Sequence, residues 1–100
     1  MSKEPSFVYF NSKNAKELMQ LSKSDYIVLL SLLPYMDKDN ILMILKYRLL
    51  EIEKLTGYPI NSIRNAIHRL KGYGVLIHIE RSVYKINTDY YVASDSVDSL

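Results

Sequence analysis

The chain contains no cysteine. Disulfides and thiolate metal sites are therefore excluded, and a reducing compartment suits it. Histidine is scarce: His68 and His78 are the only two, and neither has acidic company at metal-ligand spacing. No apolar run approaches the roughly 20 residues of a membrane span, and no apolar signal region opens the sequence. The expectation is a soluble, cytoplasmic protein with no cofactor and no metal. A glycine-rich phosphate loop, a G-x-S-x-G elbow and paired histidines are also missing, and the acidic residues are scattered. The expectation is a protein that is not an enzyme.

One hundred residues allow one domain, and a 48% hydrophobic fraction is that of a globular chain. A domain this small buries little more than about 60–65% of its unfolded surface, so dimerisation would help it. The net charge is only +2, but it is unevenly spread. Lysines and acids balance over residues 1–39. Residues 40–85 carry Lys46, Arg48, Lys54, Arg64, Arg69, Lys71, Arg81 and Lys85 against Glu51, Glu53 and Glu80. Residues 86–100 carry only Asp89, Asp95 and Asp98. The positive excess falls on one stretch, as a phosphate-binding surface requires. An ordinary solvated surface would give the same count.

That stretch is organised around residues 55–76. Ile63, Ala66, Ile67 and Leu70 recur at the spacing of one buried helix face. The other face carries Asn61, Ser62, Arg64, Asn65, His68 and Lys71, which suit base edges and phosphates. Upstream, Lys46 to Leu55 predicts a helix with an apolar stripe at Leu49, Ile52 and Leu55. Gly57 supplies a turn where positive φ is cheap for glycine. Pro59 suits the first position of the next helix. The pattern predicts a helix-turn-helix whose second helix reads DNA. Gly72 and Gly74 stop that helix. Val75–Ile79 and Val83–Asn87, joined through Glu80-Arg81-Ser82, then read as a hairpin wing. Arg81 and Ser82 are expected at its tip, with Arg81 reaching a minor groove or a phosphate. Lys85 is expected to hold the DNA backbone nearby.

The earlier residues read as a support for this unit. Residues 1–6 are polar and are expected to be loose. Phe7–Phe10 is a strand, an arm against a partner subunit, or a plain core anchor. Asn11 or Ser12 caps a short helix through Ala15, Leu18 and Met19. Ser22 and Asp25 resemble a capping box. The helix that follows, Asp25 to about Leu33, is apolar nearly all round, so it should be the central core helix, ended by Pro34. Met36–Asn40 is a loop. Ile41–Leu45 predicts a short strand to partner the hairpin. Nine tyrosines are spread through the elements and form no base-stacking platform. The expected whole is α+β: a winged helix-turn-helix domain over residues 1–93, with about four helices and one small antiparallel sheet made of the hairpin wing plus a short strand. A disordered acidic tail is expected over residues 94–100.

Leu21–Leu30, then Tyr35-Met36-Asp37-Lys38-Asp39-Asn40-Ile41, then the helix-turn-helix with Gly74-Val75-Leu76-Ile77, and finally Val83–Tyr91 follow one another in an order that resembles the RepL-type replication and maintenance proteins of bacterial plasmids. The resemblance spans roughly residues 18–92. It implies a winged helix and sequence-specific binding of double-stranded DNA in plasmid replication or maintenance. Pro59 stands where that family has a capping Ser or Thr, and Thr88 where it has Pro. A transcriptional repressor and a plasmid partition adaptor remain alternatives on the same fold. A protein-interaction module without DNA binding is the alternative outside that class. A homodimer is expected, because two-fold dimers read two half-sites. Spare apolar residues in the N-terminal segment and the Tyr-rich C-terminal stretch mark its expected surface.

Overall fold

Two small antiparallel sheets and four α-helices make up the computed structural model, which describes residues 7–94. The expected loose start at residues 1–6 and the acidic tail from residue 95 onward lie outside the described residues. The chain runs β1 (Phe7–Phe10), α1 (Ala15–Met19), α2 (Lys23–Leu32), β2 (Ile41–Met43), α3 (Lys46–Thr56), α4 (Ile60–Gly72), β3 (Leu76–Glu80), β4 (Val83–Ile86) and β5 (Tyr91–Ser94). Among the described residues no helix is long and apolar enough to cross a membrane.

Local chemistry sets the helix ends. The Asn11 Oδ1 accepts the Lys13 N–H at 3.1 Å, opening a 3-10 turn that leads into α1. The Ser22 Oγ accepts the Asp25 N–H at 3.2 Å and caps α2. The reciprocal half of a capping box is absent, because the Asp25 carboxylate turns to Arg69 instead. After Leu32 the chain tightens into a 3-10 turn around Pro34, which has no N–H to continue the ladder. Gly57 ends α3 at a φ of +80°. Pro59 is the extended residue just before α4, one position earlier than expected, and no side chain caps that helix. Gly72 remains inside α4. Gly74, at a φ of +79°, turns the chain away from it.

The apolar stripes pack as their spacing predicts. Ile63, Ala66, Ile67 and Leu70 of α4 are buried against α2 and α3, together with Val28, Leu29, Leu32, Leu49 and Ile52. The expectation of a helix buried all round fails at α2. Leu30 is 43% exposed, because α2 is covered by α3 and α4 and its remaining side faces solvent.

β2 pairs with β4 and β4 with β3, giving the order β2-β4-β3. β2 stops at Met43, sooner than expected, since the chain must turn into α3. The Ile44 N–H still donates to the Ser82 carbonyl at 2.8 Å. A bulge falls between His78 and Glu80 in β3. The expected single sheet is in fact two. β1 and β5 form a separate ribbon, with Val8 opposite Ala93 and Phe10 opposite Tyr91. β5 includes Ser94.

Asn40 joins the two sheets. It adopts a φ of +65°, a region that Asn tolerates better than most side chains. It is only 2% exposed. Its Nδ2 donates to the Ile86 carbonyl at 2.8 Å and to the Tyr91 carbonyl at 2.7 Å. Its Oδ1 accepts the Ala93 N–H at 2.9 Å. Its own carbonyl accepts the Ile86 N–H at 2.9 Å. Nearby, the Tyr26 and Tyr91 hydroxyls meet at 3.2 Å.

Asn40→Asp replaces the two donors with an oxygen facing two carbonyls. The expected loss is about 2–4 kcal/mol, read as a lower urea midpoint. Burial, and then the Tyr26 hydroxyl, push the Tyr91 phenol above its ordinary range. The unfolded chain therefore releases that proton first as the pH climbs past the ordinary value of 10, and stability falls there. Tyr91→Phe should make the alkaline decline in denaturation midpoint shallower.

Candidate functional site

The polar side of α4 stands clear of the core. Asn61, Ser62, Arg64, Asn65 and His68 are exposed, and Lys71 is half-buried. Asn61, Arg64, His68 and Lys71 recur every three or four residues, so they form one stripe along the helix. Ser62 and Asn65 lie beside it. The buried face holds α4 on α2 and α3.

Arg64, His68 and Lys71 of this stripe form one wall of a cleft of about 420 Å³. The start of α3 contributes Lys46, and the hairpin contributes Ser82 and Tyr84. Leu49 and Ile67 close the floor. Lys46, Arg64, Lys71 and His68 therefore converge, and none of the lining residues is acidic. No side chain caps α3, and its first residue is Lys46. The positive end of the helix dipole thus adds to the lysine at the cleft wall. An arrangement of this kind favours an anionic ligand.

The hairpin is held against this wall. The Ser82 carbonyl accepts the Ile44 N–H, and Ser82 itself takes a left-handed φ of +61° at the turn. The Tyr84 ring stacks on His78, with centroids 4.7 Å apart and planes 19° from parallel. Asn87 Nδ2 donates to the Gly74 carbonyl at 2.8 Å, which ties the far end of the hairpin to the exit of α4.

Of the residues expected at the site, Arg64, His68, Lys71 and Ser82 line the cleft. Asn61, Ser62 and Asn65 are exposed on α4 outside its walls, and Arg81 is exposed at the hairpin turn. Lys85 is elsewhere. It pairs in register with Ile41 and Ile77, between the cleft residue Tyr84 and the buried Ile86, so it occupies the opposite face of the sheet. Counting residues from the hairpin turn does not fix which face a side chain takes. Lys46 and Tyr84 also line the cleft and are not among the residues expected there. Lys46 had a usable signal, since a lysine opening the first helix of the pair sits where that helix approaches the second.

Arg69 was counted with the basic excess, but it belongs to the framework. Its guanidinium holds Asp25 through Nε–Oδ1 at 3.0 Å, Nε–Oδ2 at 2.9 Å and Nη2–Oδ1 at 2.7 Å. Asp25 is 1% exposed. Its hydrogen bonds hold the Arg69 pKa above the usual arginine value. Arg48 is likewise occupied, 3.6 Å above the Tyr35 ring and ion-paired with Glu51. Among the described residues no group of three His, Asp or Glu is placed to hold a metal ion.

No family model matches the chain, and no curated protein or solved structure does.

The two kinds of basic residue should separate experimentally. Asp25→Asn breaks the bidentate pair and should lower the thermal midpoint measured by circular dichroism. Arg64→Ala, at an exposed position with no packing role, should leave stability within about 0.5 kcal/mol of the parent.

Proposed function

We propose that the protein is a winged helix-turn-helix that binds double-stranded DNA sequence-specifically as a homodimer. The observation that carries this reading is the acid-free cleft that joins the polar stripe of α4 to the start of α3 and the hairpin. α4 enters the major groove. Arg64 and Asn65, with Asn61 and Ser62, face base edges, where Arg is bidentate to guanine and Asn to adenine. Lys46, His68 and Lys71 take phosphates and set the register. The β3–β4 hairpin acts as the wing, with Arg81 and Ser82 against the neighbouring backbone or minor groove. Lys85, on the far face of the sheet, has no part in this contact.

The proposed role is DNA recognition and recruitment in the cytoplasm, with no chemical step. Its assignment to plasmid replication or maintenance rests on the resemblance to RepL-type proteins. A repressor or a partition adaptor would use the same surface.

The test is binding to duplex DNA from the resident replicon at two salt concentrations. Affinity should fall steeply with salt, with a log–log slope near −0.9 for each phosphate neutralised. Arg64→Ala should cost about 1–3 kcal/mol and relax sequence preference, whereas Lys46→Ala should weaken all sequences alike and reduce the slope by about one. Absence of binding at low salt would overturn the reading in favour of a protein-interaction module.

A further inference from the structure

A sheet edge is a row of unpaired backbone groups, and a protein must close it or use it. The four edges among the described residues are treated differently. β2 is only three residues long. β3 carries a bulge, His78 and Glu80. The outer edge of β5 is occupied, because its Tyr91 carbonyl and Ala93 N–H are taken by the Asn40 side chain. Among the described residues, β1 has none of these protections. Phe7-Val8-Tyr9-Phe10 has no charge and no proline, and its register with β5 is unbroken.

The alternation of an antiparallel ladder says which groups of β1 point outward. Tyr91 and Ala93 bond to Asn40 on one side, so Val92 and Ser94 must bond to β1 on the other. Their register partners are Tyr9 and Phe7. The backbone N–H and C=O of Val8 and Phe10 therefore face away from β5. Beside them, Val8 is 40% exposed, Phe10 48% and Met19 82%. Phe10 and Met19 also border an apolar groove of about 370 Å³ with Leu18, Leu21 and Tyr26.

We propose that the outer edge of β1 is a homodimer interface, in which two copies pair antiparallel to form one four-stranded sheet, β5-β1-β1-β5. A two-fold axis at Tyr9 lets Val8 of each copy exchange both backbone hydrogen bonds with Phe10 of the other, four bonds in all. A second copy is the natural occupant, because an antiparallel edge is complementary to itself and this one has no like charges to repel. Side chains add to the backbone bonds. The exposed parts of Val8, Phe10 and Met19 offer on the order of 300 Å² per copy toward the roughly 800 Å² per partner in a stable interface. The edge backbone and the rest of α1 extend that area. The interface lies apart from the cleft, so it leaves α4 open.

The test is the mass of the full chain in solution without DNA, by sedimentation equilibrium. A dimer is expected. Val8→Pro removes an outward N–H without touching the β1–β5 bonds, and should weaken the dimer about 10- to 100-fold for the two hydrogen bonds lost. The chain has no cysteine, so Tyr9→Cys introduces a single one on the axis. Directly opposed Cα atoms there are about 4.5–5.5 Å apart, within disulfide range. Tyr9→Cys should cross-link rapidly under mild oxidation, and Lys54→Cys, exposed on α3, should not. A monomeric parent, or a dimer in which Tyr9→Cys fails to cross-link faster than Lys54→Cys, overturns the proposal, whether or not Val8→Pro folds. The interface rests on the homodimer of the proposed function: a monomeric parent overturns both, whereas a dimer in which Tyr9→Cys does not cross-link overturns the interface alone and leaves DNA binding, measured separately, standing.

Discussion

The fold depends on one buried amide. Asn40 places a polar side chain where the two sheets meet, and all three of its side-chain hydrogen bonds go to backbone groups of β4 and β5. A buried amide without partners would cost several kcal/mol, so this contact fixes the geometry as well as stabilising it. Its left-handed backbone lets the chain turn from the loop into β2 while the side chain points inward. The three-stranded sheet, the ribbon and the turn at Asn87 thereby share one reference point. The same amide closes the outer edge of β5.

α4 is held by a different interaction. Its apolar stripe is clamped on α2 and α3 by burial, which fixes its distance but not its rotation or slide. The bidentate pair between Arg69 and Asp25 is directional. It ties the last turns of α4 to the first turn of α2, where Ser22 has already fixed the Asp25 backbone. A sequence-adjacent cap and a distant guanidinium thus use two different parts of Asp25. The consequence for the cleft is a division of charge. Arg69 is spent on the frame, and Arg64, His68 and Lys71 remain on the side that faces Lys46 and the hairpin.

The hairpin completes this arrangement because it is anchored at both ends. Ser82 bonds back to Ile44 beside the start of α3, and Asn87 bonds to Gly74 at the end of α4. The two strands are therefore not a free projection. Their inner face packs on the helices through Leu76 and Ile86, and the Tyr84–His78 stack extends that packing toward the turn.

The elements governed by short-range physics were legible from the residues alone. The stripe Ile63, Ala66, Ile67 and Leu70 found its helix and its buried face, and Gly57 and Gly74 took the positive φ values that their turns require. Ser22 capped the helix it preceded. Those rules act within one or two turns of chain. The tertiary structure alone decided the rest. The β1–β5 pairing joins the two ends of the described chain, and four-residue strands carry too little alternation to announce their partners. Asn40 looked like a loop residue, because nothing local distinguishes a solvated Asn from one that satisfies buried carbonyls. Asp25 looked like half of a capping box until Arg69, far along the chain, proved the stronger partner. Lys85 follows the hairpin turn closely in sequence, but its register puts it on the other face, since a one-residue step along a strand reverses the side chain. Local periodicity chooses the element, and long-range hydrogen bonding chooses which side chains meet.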